Sequence, residues 1–210
     1  MPRAADKTRR HILDCAYELF YRKGFGRVGV DEIAASAKIT KRTLYYHFRS
    51  KDAVLTGVLE LQHELALARI HKYENRYTGN AEDVVVLLFA ELAKWSKKPG
   101  WVGAGFTRLA MELADLPGHP ARAAARRHKE AVEAWYAERL AKTGAASPLE
   151  LAKEIALLAE GATALILIHG DRRYADIAAA AAKRLLRSAE LTTRIGTALP
   201  ARKREQTRVC

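Results

Sequence analysis

Nearly every segment of this 210-residue chain repeats its apolar residues at a 3.6-residue interval, and the breaks between segments are glycine, proline or small polar clusters. These two features point to an all-α protein of about nine helices. A third is the crowding of positive charge at the chain's start. Residues 1–51 carry +7 (12 basic, 5 acidic), residues 52–196 only +2 (20 basic, 18 acidic), and residues 197–210 carry +3 (4 basic, 1 acidic). A basic first segment on a nearly neutral body fits a polyanion-binding head attached to a domain with another task. The expected division is a three-helix head over 1–50, a helical body over 51–196 with helix 51–73 as connector, and a basic flexible tail over 197–210.

The composition, 49% hydrophobic and 29% charged, is that of a globular protein and excludes wholesale disorder. Two cysteines, Cys15 and Cys210, make no disulfide framework, so a reducing cytoplasm is expected. No run approaches 18 apolar residues and the start, MPRAADKTRR, lacks a signal-peptide stretch. A basic helix lying on a membrane is the competing explanation of the charge. The apolar stripe of helix one, Ile12, Cys15, Ala16, Leu19 and Phe20, argues against it, because that stripe faces a core and leaves no bulky face exposed.

Helix one, Asp6 to Lys23, ends at Gly24, which tolerates the left-handed conformation of a helix terminus. Next comes DEIAASAKITKRTLYYHFRSK, residues 31–51. Ile33, Ala34 and Ala37 share one helical face, and Leu44 and Phe48 share a face of the following segment, so both bury a stripe in one core. Thr40 is placed to cap the second segment. Lys41, Arg42, Thr43, Tyr45, Tyr46 and His47 remain outward, donors and stacking groups suited to a major groove and its phosphate rim. Charged pairs more often form a merely solvated face; here the turn, the cap and the aromatic neighbours favour nucleic acid. Phe48 is read as core and left out of the site, as the buried partner of Leu44 at i, i+4.

The segment IAASAKITKRTLYYHFRSKDAVL, Ile33 to Leu55, closely resembles the tetracycline-repressor-like (TetR) family of bacterial transcription regulators, with Tyr45, His47, Phe48, Lys51 and Leu55 at the family's spacing. The resemblance covers roughly the first quarter of the chain, the extent of a helix-turn-helix head. It implies base-edge contacts from Lys41, Arg42, Thr43 and Tyr45, and phosphate contacts from Thr40, Tyr46, His47 and Lys51. Two positions depart from the pattern. Lys38 replaces the usual turn glycine and is expected to adopt positive φ at a modest steric cost. Gly29 replaces the serine or threonine that opens helix two, which removes a side-chain cap.

Ser50 is expected to cap helix four, 51 to about 73, with Leu55, Val58, Leu59, Leu65 and Leu67 as apolar contacts. The polar stretch Asn75 to Asn80 resets the chain. Five more helices are read at about 81–97, 102–114, 119–143, 148–169 and 174–189. Ser147, Pro148 and Glu150 suggest a capping box with proline at the first helical position. The last two turns of helix 148–169 are apolar all round, and helix 174–189 is rich in alanine that permits close approach. A two-fold partner would supply the missing cover; the alternative is that 148–169 is the central helix of a monomer. In the family resembled, the last two helices form a four-helix bundle with their mates. The expected interface is Leu158, Ala162, Leu165, Ile166, Ile177, Ala181 and Leu185.

Trp95, Trp101, Phe106, Met111 and Trp135, with Arg108, Glu112, His119 and His128 interspersed, are the ingredients of a small-molecule pocket, although aromatics at this spacing also serve as plain core. Rival chemistry is weak. The literal GxGxxG at Gly24–Gly29 follows a helix where a dinucleotide site needs a strand. No histidine pair lies at i, i+4 with a carboxylate, so no metal site or other cofactor is expected, and there is no catalytic fingerprint. The reading is a homodimeric, ligand-responsive repressor released from a palindromic operator by a small-molecule effector. The alternative is a constitutive or architectural DNA-binding protein whose body only dimerises.

Overall fold

The computed structural model describes residues 4–72, 80–145 and 147–198, and all their regular structure is helical: α1 (Ala4–Lys23), α2 (Val30–Ser36), α3 (Lys41–His47), α4 (Lys51–Lys72), α5 (Ala81–Trp95), α6 (Gly105–Glu112), α7 (Pro120–Lys142), α8 (Pro148–His169) and α9 (Arg173–Ala198). Helices α1 to α3 and the first half of α4 close around Ile12, Leu13, Ala16, Ile33, Leu44, Phe48, Val54 and Leu55. That core continues without a break into α6 and α7 through Leu109, Leu113, Ala121 and Ala124. A second core, with Val85, Phe89, Leu140, Leu151, Ile155 and Leu186, joins α5, α7, α8 and α9. The connector α4 packs on α1 and on α7, so it belongs to the head at one end and to the body at the other.

Helix ends follow local chemistry in the head. Gly24, at φ +83°, closes α1. Gly29 opens α2 without a side-chain cap. Lys38 stands at φ +53° and completes a Schellman closure, its N–H donating to Ala35 and that of Ile39 to Ala34, each at 3.0 Å. The backbone bonds and the burial of Ile39 against the core offset a non-glycine cost of roughly 1 kcal/mol. Thr40 Oγ1 accepts from the Thr43 amide at 3.0 Å, and Ser50 Oγ from the Ala53 amide at 3.1 Å.

The body departs from expectation at several points. Ser147 sits at φ −130°, ψ 65° and makes no cap bond, and Glu150 pairs instead with Lys153. A true capping box occurs at α5, where Asn80 and Asp83 bond reciprocally at 3.0 and 3.3 Å. Helix α6 is shorter than expected because Gly103, at φ +82°, turns the chain before it begins. Helix α9 runs to Ala198 where an end near 189 was expected, so residues 197 and 198 of the anticipated tail are helical. Residues 199–210, and the part of the polar reset at 73–79, lie outside the described residues. Among the described residues no helix is long and apolar enough to cross a membrane.

Candidate nucleic-acid interface

Helix α3 is two turns long, and its geometry is set from beneath. Leu44 is fully buried and Phe48 is 5% exposed, which pins one face to the head core. The same pinning forces Lys41, Arg42, Tyr45 and Tyr46 outward, with Thr43 and His47 half-buried at the edges. Tyr46 is 80% exposed and Tyr45 45%, a large apolar area for solvent to cover and of the kind that stacks on sugar or base edges. The Tyr46 and His47 rings meet edge to face, centroids 5.1 Å apart. At the helix start, the Thr40 and Thr43 hydroxyls lie 2.9 Å apart, so the two side chains that rim the N-terminus hold each other in place.

Two cations differ from the rest. Lys41 Nζ lies 3.0 Å from the carboxylate of Asp31 on α2, and the hydrogen bond to that carboxylate holds the Lys41 pKa above the ordinary lysine value. The pair is exposed, so water screens it and the ammonium is available to a phosphate at little cost. Lys51 points inward: its Nζ donates to the carbonyls of Phe25 and Val28 at 3.0 and 3.1 Å and lies 4.1 Å from the Phe25 ring centroid. The resemblance implied a phosphate contact there. The folded chain uses Lys51 to tie the loop after α1 to the start of α4.

The residues gathered as a pocket separate into several places. Arg108 and Glu112 of α6 clamp the end of α1. Arg108 donates to the Tyr21 carbonyl at 2.9 Å and pairs with Glu112 at 3.2 Å. Glu112 in turn accepts from the Phe25 and Gly26 amides at 2.7 and 3.3 Å. Gly24 is favoured beside them by its φ of +83°, and an added Cβ, 2.8 Å from the Glu112 carboxylate, would also push that side chain aside. His119 caps α7 by accepting from the Ala121 amide at Nδ1, 3.1 Å away, which leaves its Nε2 facing Asp52 at 3.5 Å. These three residues are the joint between head and body. Trp95 and Trp101 meet edge to face at 5.5 Å, and Trp135 is 8% exposed with the Arg139 guanidinium 5.4 Å from its ring. Phe106 stacks on His128. Met111 is 70% exposed and lines none of this.

The expected dimer face also needs correction. Ala162 and Ile166 are buried within the chain's own body at 4% and 3% exposure, and Leu158, Ala181 and Leu185 are half-covered by it. Leu165 and Ile177 remain exposed, joined by Leu157, Leu167 and Ile168, which the sequence reading passed over. Leu157, Gly161, Ala164 and Ile168 follow one another at intervals of four, three and four, so this exposed stripe was present in the spacing.

A short, capped, outward helix held behind a tight turn on a three-helix core defines a helix-turn-helix head, here carried on an all-helical body. Residues 12–58 match the family described as bacterial regulatory proteins, tetR family, so this part of the chain is similar to that family's DNA-binding segment. It is 31% identical over 81 residues to the HTH-type transcriptional regulator AcrR of Shigella flexneri, which is 39% of this chain and 38% of that one. It is 38% identical over 72 residues to the HTH-type transcriptional regulator UidR of Escherichia coli, 34% of this chain and 37% of that one. The match thus spans under two-fifths of the length of these two curated relatives. In fold, the likeness extends further: a TetR-family transcriptional regulator from Streptomyces coelicolor superimposes with a TM-score of 0.78 over 88% of this chain and 96% of that one, at 24% identity.

Proposed function

We propose that this protein is a transcription regulator of the cytoplasm that binds a two-fold DNA operator as a homodimer and is released from it by a small-molecule effector. The observation that carries the reading is α3, where Arg42, Tyr45 and Tyr46 project from a helix whose other face is anchored by Leu44 and Phe48. Base edges would fall to Lys41, Arg42, Thr43 and Tyr45, and phosphates to Thr40, Tyr46 and His47. The exposed α8–α9 face of Leu157, Leu165, Ile168 and Ile177 would pair with its copy, placing two α3 helices roughly 34–36 Å apart in successive major grooves.

An effector works here only by binding one head spacing better than the other. Emptying a nearly saturated operator takes about 5.5 kcal/mol of differential binding. The Arg108–Glu112 clamp and the His119 cap give the body a grip on α1 and α4, through which such a preference would reach the heads.

In vitro selection of DNA by the full chain, followed by binding titrations against salt, tests this. The expected outcome is a palindrome, a loss of affinity in Arg42→Ala, and a salt slope reduced by about one for each phosphate contact removed. Leu157→Glu should give a folded monomer by light scattering. Selection that returns no preferred sequence, with a steep salt dependence and no metabolite that shifts the melting point, would favour a constitutive DNA-binding protein.

A further inference from the structure

Two imidazoles meet where α4 packs on α7. His63 and His128 turn their Nδ1 atoms toward each other at 3.2 Å, with ring planes at 87°. His128 is 9% exposed and lies flat against Phe106, centroids 3.8 Å apart and planes within 13°, which fixes its ring orientation. Burial, with Lys129 and His63 as lesser causes, lowers its pKa to about 4, so it is neutral at pH 7.

Imidazole nitrogens facing at this distance either share one proton or bracket one ion. Two metal–nitrogen bonds of about 2.0–2.1 Å at a tetrahedral angle set the nitrogens roughly 3.3–3.4 Å apart, close to the spacing observed. A third donor stands beside them. Glu60 precedes His63 by three residues on the same face of α4, and both line a solvent-open cavity of about 150 Å³ with Glu64 and Arg127. A Glu-x-x-His pair at this interval is one way a helix presents two metal ligands to a bundle core. Among the described residues no three ligating groups are already gathered, so Glu60, which is exposed, has to turn inward, with water completing the set. The surrounding charge balances. Glu160 pairs with Lys129 and accepts from Thr107, Arg69 adds positive charge near His128, and Arg127 shares the cavity lining with Glu60 and Glu64.

We infer that His63, His128 and Glu60 bind one borderline transition-metal ion, Zn²⁺ or Ni²⁺, that fastens α4 to α7. Binding needs the lone pairs of both Nδ1 atoms, so the proton between them moves to Nε2 of the ring that carried it, with no net release, and imidazole donors select against Mg²⁺ and Ca²⁺. The site stands independently of the regulatory reading. Its consequence, that the ion biases the connector and hence DNA affinity, rests on that reading.

Calorimetric titration of the chelator-treated full chain with zinc chloride, nickel chloride and magnesium chloride tests the site. The expected result is one Zn²⁺ or Ni²⁺ per chain and no Mg²⁺. Affinity should fall by ~100-fold in His63→Gln and by ~10-fold in Glu60→Gln, with unchanged circular dichroism. His128→Gln should match His63→Gln; because His128→Gln also disturbs a buried position, the decisive variant is at the partly exposed His63. X-ray absorption should show imidazole nitrogen around the ion. Zinc held equally well by His63→Gln, or not bound by the parent chain, overturns the site. Intact zinc binding with DNA affinity unmoved by zinc overturns the regulatory consequence alone.

Discussion

The head and the body are both helical, yet they carry information differently. In the head, a 20-residue helix and two of seven are stopped and started by single residues: Gly24, Lys38, Thr40 and Ser50 each make the terminal contact that their chemistry favours. In the body, helices of 15 to 26 residues (α6 excepted) meet through side chains distant in sequence, and residues with pocket-like chemistry serve as joints. A site presented on a short element is readable from local pattern. A site assembled between long elements depends on which faces meet, and amphipathic periodicity leaves that open.

The comparison can be broken first at Leu44. Leu44→Ala removes a fully buried side chain from a two-turn helix, and should cost about 2–5 kcal/mol in a denaturant titration and abolish DNA binding while the body remains helical. If the body unfolds in step with the head, the continuous core through Leu109 and Ala121 makes them one cooperative unit.

The body's counterpart is His128, in metal-free protein. Its folded pKa, about 4, lies below the ordinary value of 6.5, so the unfolded chain takes up a proton that the folded chain refuses. Stability from this group is therefore complete above pH 6.5 and is lost as pH falls toward 4, by on the order of 2–3 kcal/mol. Thermal melts of the parent and His128→Gln across that window should converge at acid pH; parallel curves would show that burial of His128 does not set its charge.

The joint comes next. Glu112→Ala strips the Phe25 amide of its acceptor and should cost about 1–3 kcal/mol in thermal melts and alter DNA affinity without touching α3, with Glu112→Gln restoring part. The smallest effect is expected at Asp31→Asn, which frees Lys41: the melting point should hardly move, because the pair is solvent-screened, while DNA affinity rises modestly in a low-salt binding titration.

What the chain announced and what it withheld divide along the same line. The turn strain at Lys38, the missing cap at Gly29, the Thr40 cap and the buried Phe48 all followed from residues within five positions of one another. The bonds of Lys51 to the Phe25 and Val28 carbonyls were not legible, because those partners lie 26 and 23 residues back. The interface expected on α8 included residues such as Ile166 that the body itself buries. An all-apolar helix does not say which side its own chain covers.

Helix positions, caps and the outward chemistry of α3 were therefore legible in the order of residues, since each depends on backbone geometry within a turn or two. The Glu112 clamp spans 87 positions and the His63–His128 pair 65. No periodicity encodes such a meeting. It arises when α4, α6 and α7 bury their stripes together, and packing alone then settles which polar groups are trapped face to face.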